Sequence, residues 1–144
     1  MKNPTNKENA PSLLAAFSSS LPPVIRSEKI QTKTAEVNFD WINVDQVIGV
    51  LKAEVAELEE AIHQQQPPTK IVLEFGDILF TCVNLARHLN TNVEMALHLA
   101  NEKFIRRFQH IEQALKQENK KFTDLSFEQL LEYWNRAKQE TAYD

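Results

Sequence analysis

Glycine and cysteine are scarce in this sequence, and each shortage excludes a class of protein. Only two glycines, Gly49 and Gly76, occur among the 144 residues. Glycine-rich phosphate-binding loops and most tight hairpins need more glycine, which excludes P-loop and Rossmann nucleotide sites. The single cysteine, Cys82, cannot form a disulfide within the chain and suits a reducing compartment.

Long apolar runs and a strong net charge are also missing. No run approaches the roughly 18 apolar residues that a membrane-spanning helix needs, and the N-terminus lacks the basic-then-apolar pattern of a secretory signal. The formal charge of -4 provides no general attraction to nucleic acid or to anionic membranes. We therefore expect a cytoplasmic protein whose partners include neither nucleic acid nor a membrane.

Helical periodicity dominates what remains. With 42% hydrophobic and 25% charged residues, the composition is that of a globular protein. No segment alternates with a two-residue period, so we predict an all-α fold, a helical bundle of about five helices. We interpret residues 1–20 as a flexible tail or linker and 21–144 as one helical domain. The predicted helices cover about 22–37, 43–65, 70–88, 91–119 and 126–140.

Capping patterns and a loop give finer expectations. Three pairs of residues, three positions apart, are typical of helix N-termini: Asn43 with Gln46, Thr91 with Glu94, and Ser126 with Gln129. The loop after the first helix carries two large aromatic side chains, Phe39 and Trp41, that we expect to be buried.

The third predicted helix combines apolar character with two acidic residues. Eleven of the sixteen residues 71–86 are apolar, and the only charges are Glu74 and Asp77. A helix this apolar is usually buried on most sides, and buried carboxylates are paired or bind metal. At about 100° per residue, both acids fall on a narrow polar strip. That strip continues through Thr81, Asn84 and His88.

A matching acidic pair lies on the second predicted helix. Glu54 and Glu57 flank its apolar stripe, whereas Glu60 lies opposite the stripe and should be solvated. Within each pair the acids are three residues apart, which puts them on the same side of one turn. If the two helices pack side by side, four carboxylates meet.

Four clustered carboxylates repel one another, and a hard divalent cation such as Mg²⁺ relieves that repulsion. The structural alternative is a set of salt bridges to nearby basic residues. The basic residues considered for that role are Lys52, Lys103, Arg106 and Arg107.

These residues, in this order, resemble the MazG family of all-α nucleoside triphosphate pyrophosphohydrolases. The family motif is E-x-x-E, a spacer and E-x-x-D, and here sixteen residues separate Glu54–Glu57 from Glu74–Asp77. The resemblance covers about residues 12–140 and is nearest to the C-terminal domain of two-domain MazG proteins. The other matching segments are Lys29–Gln31, Val37–Trp41, Val83–Leu89, Asn101–Phe108, and Trp134 with Lys138.

Two residues depart from the family pattern. Ala53 stands where many members have a further Glu, which puts an outer metal contact or a second metal site in doubt. Asn38 replaces a frequent Gly, and Asn tolerates the left-handed backbone that Gly often serves.

The resemblance implies hydrolysis of nucleoside or deoxynucleoside triphosphates to the monophosphate and pyrophosphate, as nucleotide-pool housecleaning. It further implies a homodimer and Mg²⁺ as cofactor, with Mn²⁺ as an alternative ion. The implied metal ligands are Glu54, Glu57, Glu74 and Asp77. Glu54 and Glu57 are the catalytic candidates, and Glu57 is our hypothesis for the general base.

The implied substrate-binding residues each have a structural alternative. Lys103 and Arg107 share a helical face and bind one polyphosphate, or form a solvated basic face. Trp134 stacks on a base or caps the core, Lys138 reaches phosphate or stays in solvent, and Asn84 binds substrate or a neighbour in the bundle.

Two other functions fit the same fold. One is a non-catalytic helical interaction module, which the Ala53 departure favours. The other is a deoxynucleotide pyrophosphatase of narrow specificity.

Overall fold

Five α-helices and one short 3₁₀ turn make up the computed structural model, which describes residues 10–142. No strand occurs in this range, so the predicted all-α class is confirmed. Every predicted helix end lies within two residues of the observed one. The helices are α1 (Pro23–Ala35), α2 (Val44–His63), α3 (Pro68–His88), α4 (Val93–Gln117) and α5 (Phe127–Glu140), with the 3₁₀ turn at Phe122–Asp124.

The N-terminal caps of α2 and α5 follow the sequence. Asn43 Oδ1 accepts from the Gln46 N–H at 3.0 Å, which caps α2. Before α5, Ser126 and Gln129 form a reciprocal capping box. The fourth helix, predicted to open at Thr91, begins two residues later at Val93. The Thr91 N–H donates to the Ala86 carbonyl in the turn after α3.

Amide side chains replace glycine where the helices end. Among the described residues, positive φ occurs at Asn38, Gln65, Asn90 and Asn119, and at no glycine. In each case the next N–H bonds back to a carbonyl five residues earlier, the Schellman pattern that needs a left-handed residue. The tolerance expected of Asn38 is confirmed. Both glycines lie inside helices instead, in α2 and α3.

The chain divides into two compact units, the first ending at Val93 and the second beginning at Glu94. In the first unit, α3 packs along α2 and also against α1. Gln31 Nε2 donates to the Phe80 carbonyl at 3.0 Å and ties α1 to α3. In the second unit, Ile111 and Leu115 of α4 form a buried cluster with Tyr133 of α5.

The apolar side of α3 is exposed, contrary to the expectation that the helix is buried on most sides. Val72 is 68% exposed, because α1 and α2 cover only one side of the helix. The other exposed apolar residues of this surface, here called the α3 apolar face, are Leu73, Phe75, Leu79 and Phe80.

The predicted burial of Phe39 and Trp41 is also wrong, since these side chains are 78% and 45% exposed. They lie in a turn that extends beyond α1, where the chain itself places little over them.

No helix among residues 10–142 is both long and apolar enough to cross a bilayer.

Candidate metal centre

Helices α2 and α3 bring three carboxylates together. One oxygen from each of Glu54, Glu57 and Glu74 lies within 4.8 Å of the other two. The two acidic pairs that the sequence placed on separate helices therefore converge, as predicted for three of the four acids. Asp77, the fourth, is exposed and lies outside this group of three, although its charge still acts on Glu54. Glu60 is exposed, as expected.

Glu54 carries the electrostatic cost of this arrangement. Burial raises the pKa of the Glu54 carboxyl, and the negative charges of Glu57, Asp77 and Glu74 raise it further. Its Oε2 atom is shielded from solvent and has no hydrogen-bond partner in the described part of the chain. A buried carboxylate oxygen without a donor is costly unless a cation lies beside it. The donor set is all oxygen and negatively charged, which fits a hard divalent ion such as Mg²⁺.

Lys70 is a functional candidate that the sequence reasoning missed. Its Nζ lies 2.7 Å from Glu74 Oε1, one turn along α3, and the Glu74 residue is only 8% exposed. The hydrogen bond to Glu74 and its charge, together with the charges of Asp77 and Glu57, raise the pKa of Lys70. A lysine four residues before an acid on one helix was the available signal. Lys70 was not among the four basic residues considered as salt-bridge partners of the acids.

Side-chain hydrogen bonds fix the C-terminal end of the polar strip on α3. Asn84 is buried and its Oδ1 accepts from Arg87 Nη2 at 2.7 Å. Arg87 Nη2 also donates to Asp40 Oδ1, and His88 Nε2 lies 2.9 Å from the same oxygen. The hydrogen bond from Arg87, with the one from His88, lowers the pKa of Asp40 to about 2 although burial opposes it. Asn84 thus has the partner within the fold that the structural alternative expected, and its substrate role stays a prediction.

The remaining predicted substrate residues belong to the second unit. Arg107 Nε donates to Thr141 Oγ1 at 3.1 Å, and its guanidinium lies 5.8 Å from the centre of the Trp134 ring. Trp134 is half-buried against the Ile111 cluster, with its ring 5.1 Å from that of Phe104. Packing thus accounts for Trp134, and its stacking on a base stays a prediction. Lys103 is half-buried and Lys138 exposed.

Comparison with known proteins agrees with the geometry. The sequence model of the MazG nucleotide pyrophosphohydrolase domain matches residues 43–112, which contain all four acids together with Lys103 and Arg107. Residues 43–112 belong to the MazG family. The match also includes Lys70, whereas Trp134 and Lys138 lie beyond it.

Curated relatives extend the similarity along the chain. It is 39% identical over 122 residues to the nucleoside triphosphate pyrophosphohydrolase of Escherichia coli K12, covering 84% of the chain and 46% of the relative. It is 36% identical over 118 residues to the nucleoside triphosphate pyrophosphohydrolase/pyrophosphatase MazG of Thermotoga maritima, covering 82% and 45%. The uncharacterized protein YabN of Bacillus subtilis is 47% identical over 66 residues, 46% of the chain and 14% of YabN. The chain thus spans about half the length of the first two relatives.

Proposed function

We propose that this chain hydrolyses nucleoside and deoxynucleoside triphosphates to the monophosphate and pyrophosphate, with Mg²⁺, as nucleotide-pool housecleaning in the cytoplasm. The observation that carries the proposal is the group of three carboxylates around the unpartnered Glu54 oxygen, among residues 10–142. The names of the two relatives that match most of the chain support the reaction. The lone Cys82 supports the compartment.

The reaction is attack of a water on the α-phosphorus, with pyrophosphate leaving from the opposite side. When bound at Glu54, Glu57, Glu74 and Asp77, Mg²⁺ supplies positive charge to the phosphate oxygens and makes a bound water more acidic. Glu57 is our choice of general base, because it is the exposed member of the three-carboxylate group and water can reach it. Its carboxylate takes the proton that the attacking water loses.

The basic residues have a separate task in this proposal. Lys103, Arg107 and Lys138 bind the polyphosphate and offset its charge, while Asn84 and Trp134 contact the nucleoside. Lys70 adds a cation at the edge of the acidic group, where it is already paired with Glu74.

We also propose that a second copy of the chain covers the α3 apolar face. Exposed contiguous apolar surface of this kind marks interaction sites, and five large apolar residues contribute to it. Leu73→Ser should shift the chain from dimer toward monomer in sedimentation velocity. Lys52→Ser, a replacement of an exposed polar residue on α2, serves as the control. An unchanged dimer in Leu73→Ser would contradict this part of the proposal.

The test of the reaction is pyrophosphate release from a panel of ribo- and deoxyribonucleoside triphosphates, with Mg²⁺, with Mn²⁺ and with a chelator. We expect metal-dependent turnover of several triphosphates, lost in Glu57→Gln and retained in Glu60→Gln, an exposed acid on the same helix. Absence of any turnover would indicate the non-catalytic module. Turnover of one pyrimidine deoxynucleotide alone would indicate the narrow enzyme.

A further inference from the structure

Residues 11–21 form a short run of turns ahead of α1, here called the strap. The Ala15 N–H donates to the Ser12 carbonyl at 3.0 Å, and the Phe17 N–H to the Leu14 carbonyl at 3.1 Å. A serine hydroxyl adds to the first turn, since Ser12 Oγ accepts from the Leu14 N–H at 3.2 Å. All these bonds are internal to the strap, so it has a local structure of its own.

Few contacts hold the strap in place. Its residues Leu14, Phe17 and Leu21 are half-buried, whereas all its other residues are exposed. Arg26 of α1 adds a hydrogen bond from its Nε to the Phe17 carbonyl at 3.2 Å. Segments with so little buried surface open locally far more often than the whole chain unfolds. Because Pro22 has a fixed φ and precedes the first residue of α1, the strap can lift without unwinding the helix.

One of these contacts lies at a cavity. The cavity, of about 450 Å³, is formed by α1, the turn that follows it and α3, all in the first unit. Leu14 is the side chain by which the strap lines it, and the other lining residues include Ile30 and Asn84. The proposed function assigns Asn84 to contact with the nucleoside, so the cavity is part of the space that the substrate has to enter.

We propose that the strap is an autoinhibitory gate on this cavity. While Leu14 lies against the cavity, nucleotide is kept out, and nucleotide enters and leaves when the strap lifts from α1. Arg26 is a positioning residue, because it acts on the cavity only through the strap. The inference rests on the proposed function, since it concerns access to the site that the reaction uses.

A gate and a binding wall differ in their kinetics. If nucleotide binds only when the strap is lifted, the observed association rate constant is the intrinsic one multiplied by the open fraction. Weakening the strap raises the open fraction, and association becomes faster. A side chain that only contacts the bound ligand behaves differently, because its loss speeds dissociation and leaves association nearly unchanged.

Two side chains allow the strap to be weakened independently. Leu14→Ser removes the apolar contact at the cavity. Arg26→Met removes the hydrogen bond to the Phe17 carbonyl and keeps an unbranched apolar chain. Because Arg26 does not line the cavity, its replacement alters the strap and leaves the cavity wall as it is. Faster association in both variants therefore identifies the strap as the gate.

The test is stopped-flow fluorescence with the N-methylanthraniloyl derivative of α,β-methylene ATP, which resists cleavage between the α- and β-phosphates, in the presence of Mg²⁺. Leu14→Ser should raise the association rate constant about fivefold, the effect expected of one half-buried leucine. Arg26→Met should raise it about two- to fivefold, because one hydrogen bond is lost.

Leu13→Ser is the matched control, because Leu13 is 46% exposed beside Leu14 and does not line the cavity. It should associate with the analogue as the parent chain does. If Arg26→Met loses its helical circular dichroism, Leu14→Ser and this control decide.

The proposal is overturned if neither variant speeds association, if Leu13→Ser speeds it equally, if only dissociation changes, or if the parent chain binds no analogue. Turnover assays separate this failure from that of the proposed function. Hydrolysis by the parent chain, with unchanged association in both variants, rules out the gate and leaves the enzyme. Faster association in both variants without any hydrolysis keeps the gate and rules out the enzyme.

Discussion

Lys70 donates to Glu74 across one turn of α3, with 2.7 Å between Nζ and Oε1. The chain's own cation therefore lies at the edge of the acidic group and offsets part of its charge. A divalent ion that enters has to compete with this ammonium for the Glu74 carboxylate. The contact therefore gives Lys70 two opposed effects: it stabilises the ion-free fold and it weakens the binding of the ion.

Replacing Lys70 with Met tests this competition. Removing a like charge beside the ion should tighten Mg²⁺ binding in the absence of nucleotide by roughly two- to fivefold, the range of an exposed charge pair. The ion-free chain should also melt at a lower temperature. Calorimetric titration and thermal unfolding measure the two effects. Lys70→Arg, which keeps the charge, is the control, and weaker Mg²⁺ binding by the Met variant would contradict the competition.

Replacing Glu54 with Gln should stabilise the ion-free chain and abolish tight metal binding. Because burial and three acidic neighbours raise the pKa of Glu54, its ionised form opposes folding. An uncharged side chain of the same shape removes that cost, with an expected rise in Tm of about 2–4 °C, or about 1 kcal/mol.

The gain from Glu54→Gln should be largest at neutral pH and disappear in acid, where Glu54 is itself protonated. Glu59→Gln, an exposed acid on α2, provides the control. A lower Tm for Glu54→Gln at pH 7 without added ion would show that the charge is compensated within the fold.

Asp40 should contribute a pH-dependent part of the stability. Arg87 holds its folded pKa at about 2 instead of 3.8, so its contribution is complete above the unfolded value and is lost as the pH falls toward 2. Asp40→Asn should lower Tm at pH 6, and the difference from the parent chain should shrink between about pH 4 and pH 2. Melting curves across pH 2–6, with exposed Asp45→Asn as control, measure this. A difference in Tm between the two chains that stays constant with pH would contradict the lowered pKa of Asp40.

The two helical glycines should respond differently to alanine. Apart from its chain neighbours and the backbone of its own helix, a Cβ added at Gly49 or Gly76 meets no atom of the described chain within 4 Å, so each replacement should stabilise its helix by about 1 kcal/mol. Gly76 shares the α3 apolar face with Val72 and Phe80, one turn away on either side. Gly76→Ala should therefore weaken a dimer built on that face, while Gly49→Ala, on α2, should not.

Chemical denaturation at low protein concentration measures the stabilisation, and sedimentation at several concentrations measures the dimer. Equal dimer affinity in both glycine variants would place the contact between copies elsewhere.

Helix positions were predictable because their signals are local. The prolines before α1 and α3, the caps at Asn43 and Ser126, and the apolar periodicity each act within a few residues. The start of α4 lies two residues after the predicted one, because the Thr91 N–H belongs to the turn that ends α3. The Lys70–Glu74 pair was equally local and could have been recognised from its spacing.

The convergence of Glu54, Glu57 and Glu74 followed from two local patterns and one assumption, that their helices pack side by side. The exposure of Phe39 and Trp41 could not be predicted this way, because hydrophobicity shows that a ring prefers to be covered but not what covers it. Asp40 and Arg87 are 47 residues apart, and nothing in their local sequence pairs them.

The sequence by itself determined the helices, their amide-capped ends and the acidic spacing, since backbone hydrogen bonds and side-chain directions repeat every few residues. Only the tertiary structure decided which carboxylate is buried, which lysine offsets it, and which apolar surfaces and cavity stay open. Burial and charge pairing depend on groups that the chain brings together from distant positions, and their energies exist only once those groups are in contact.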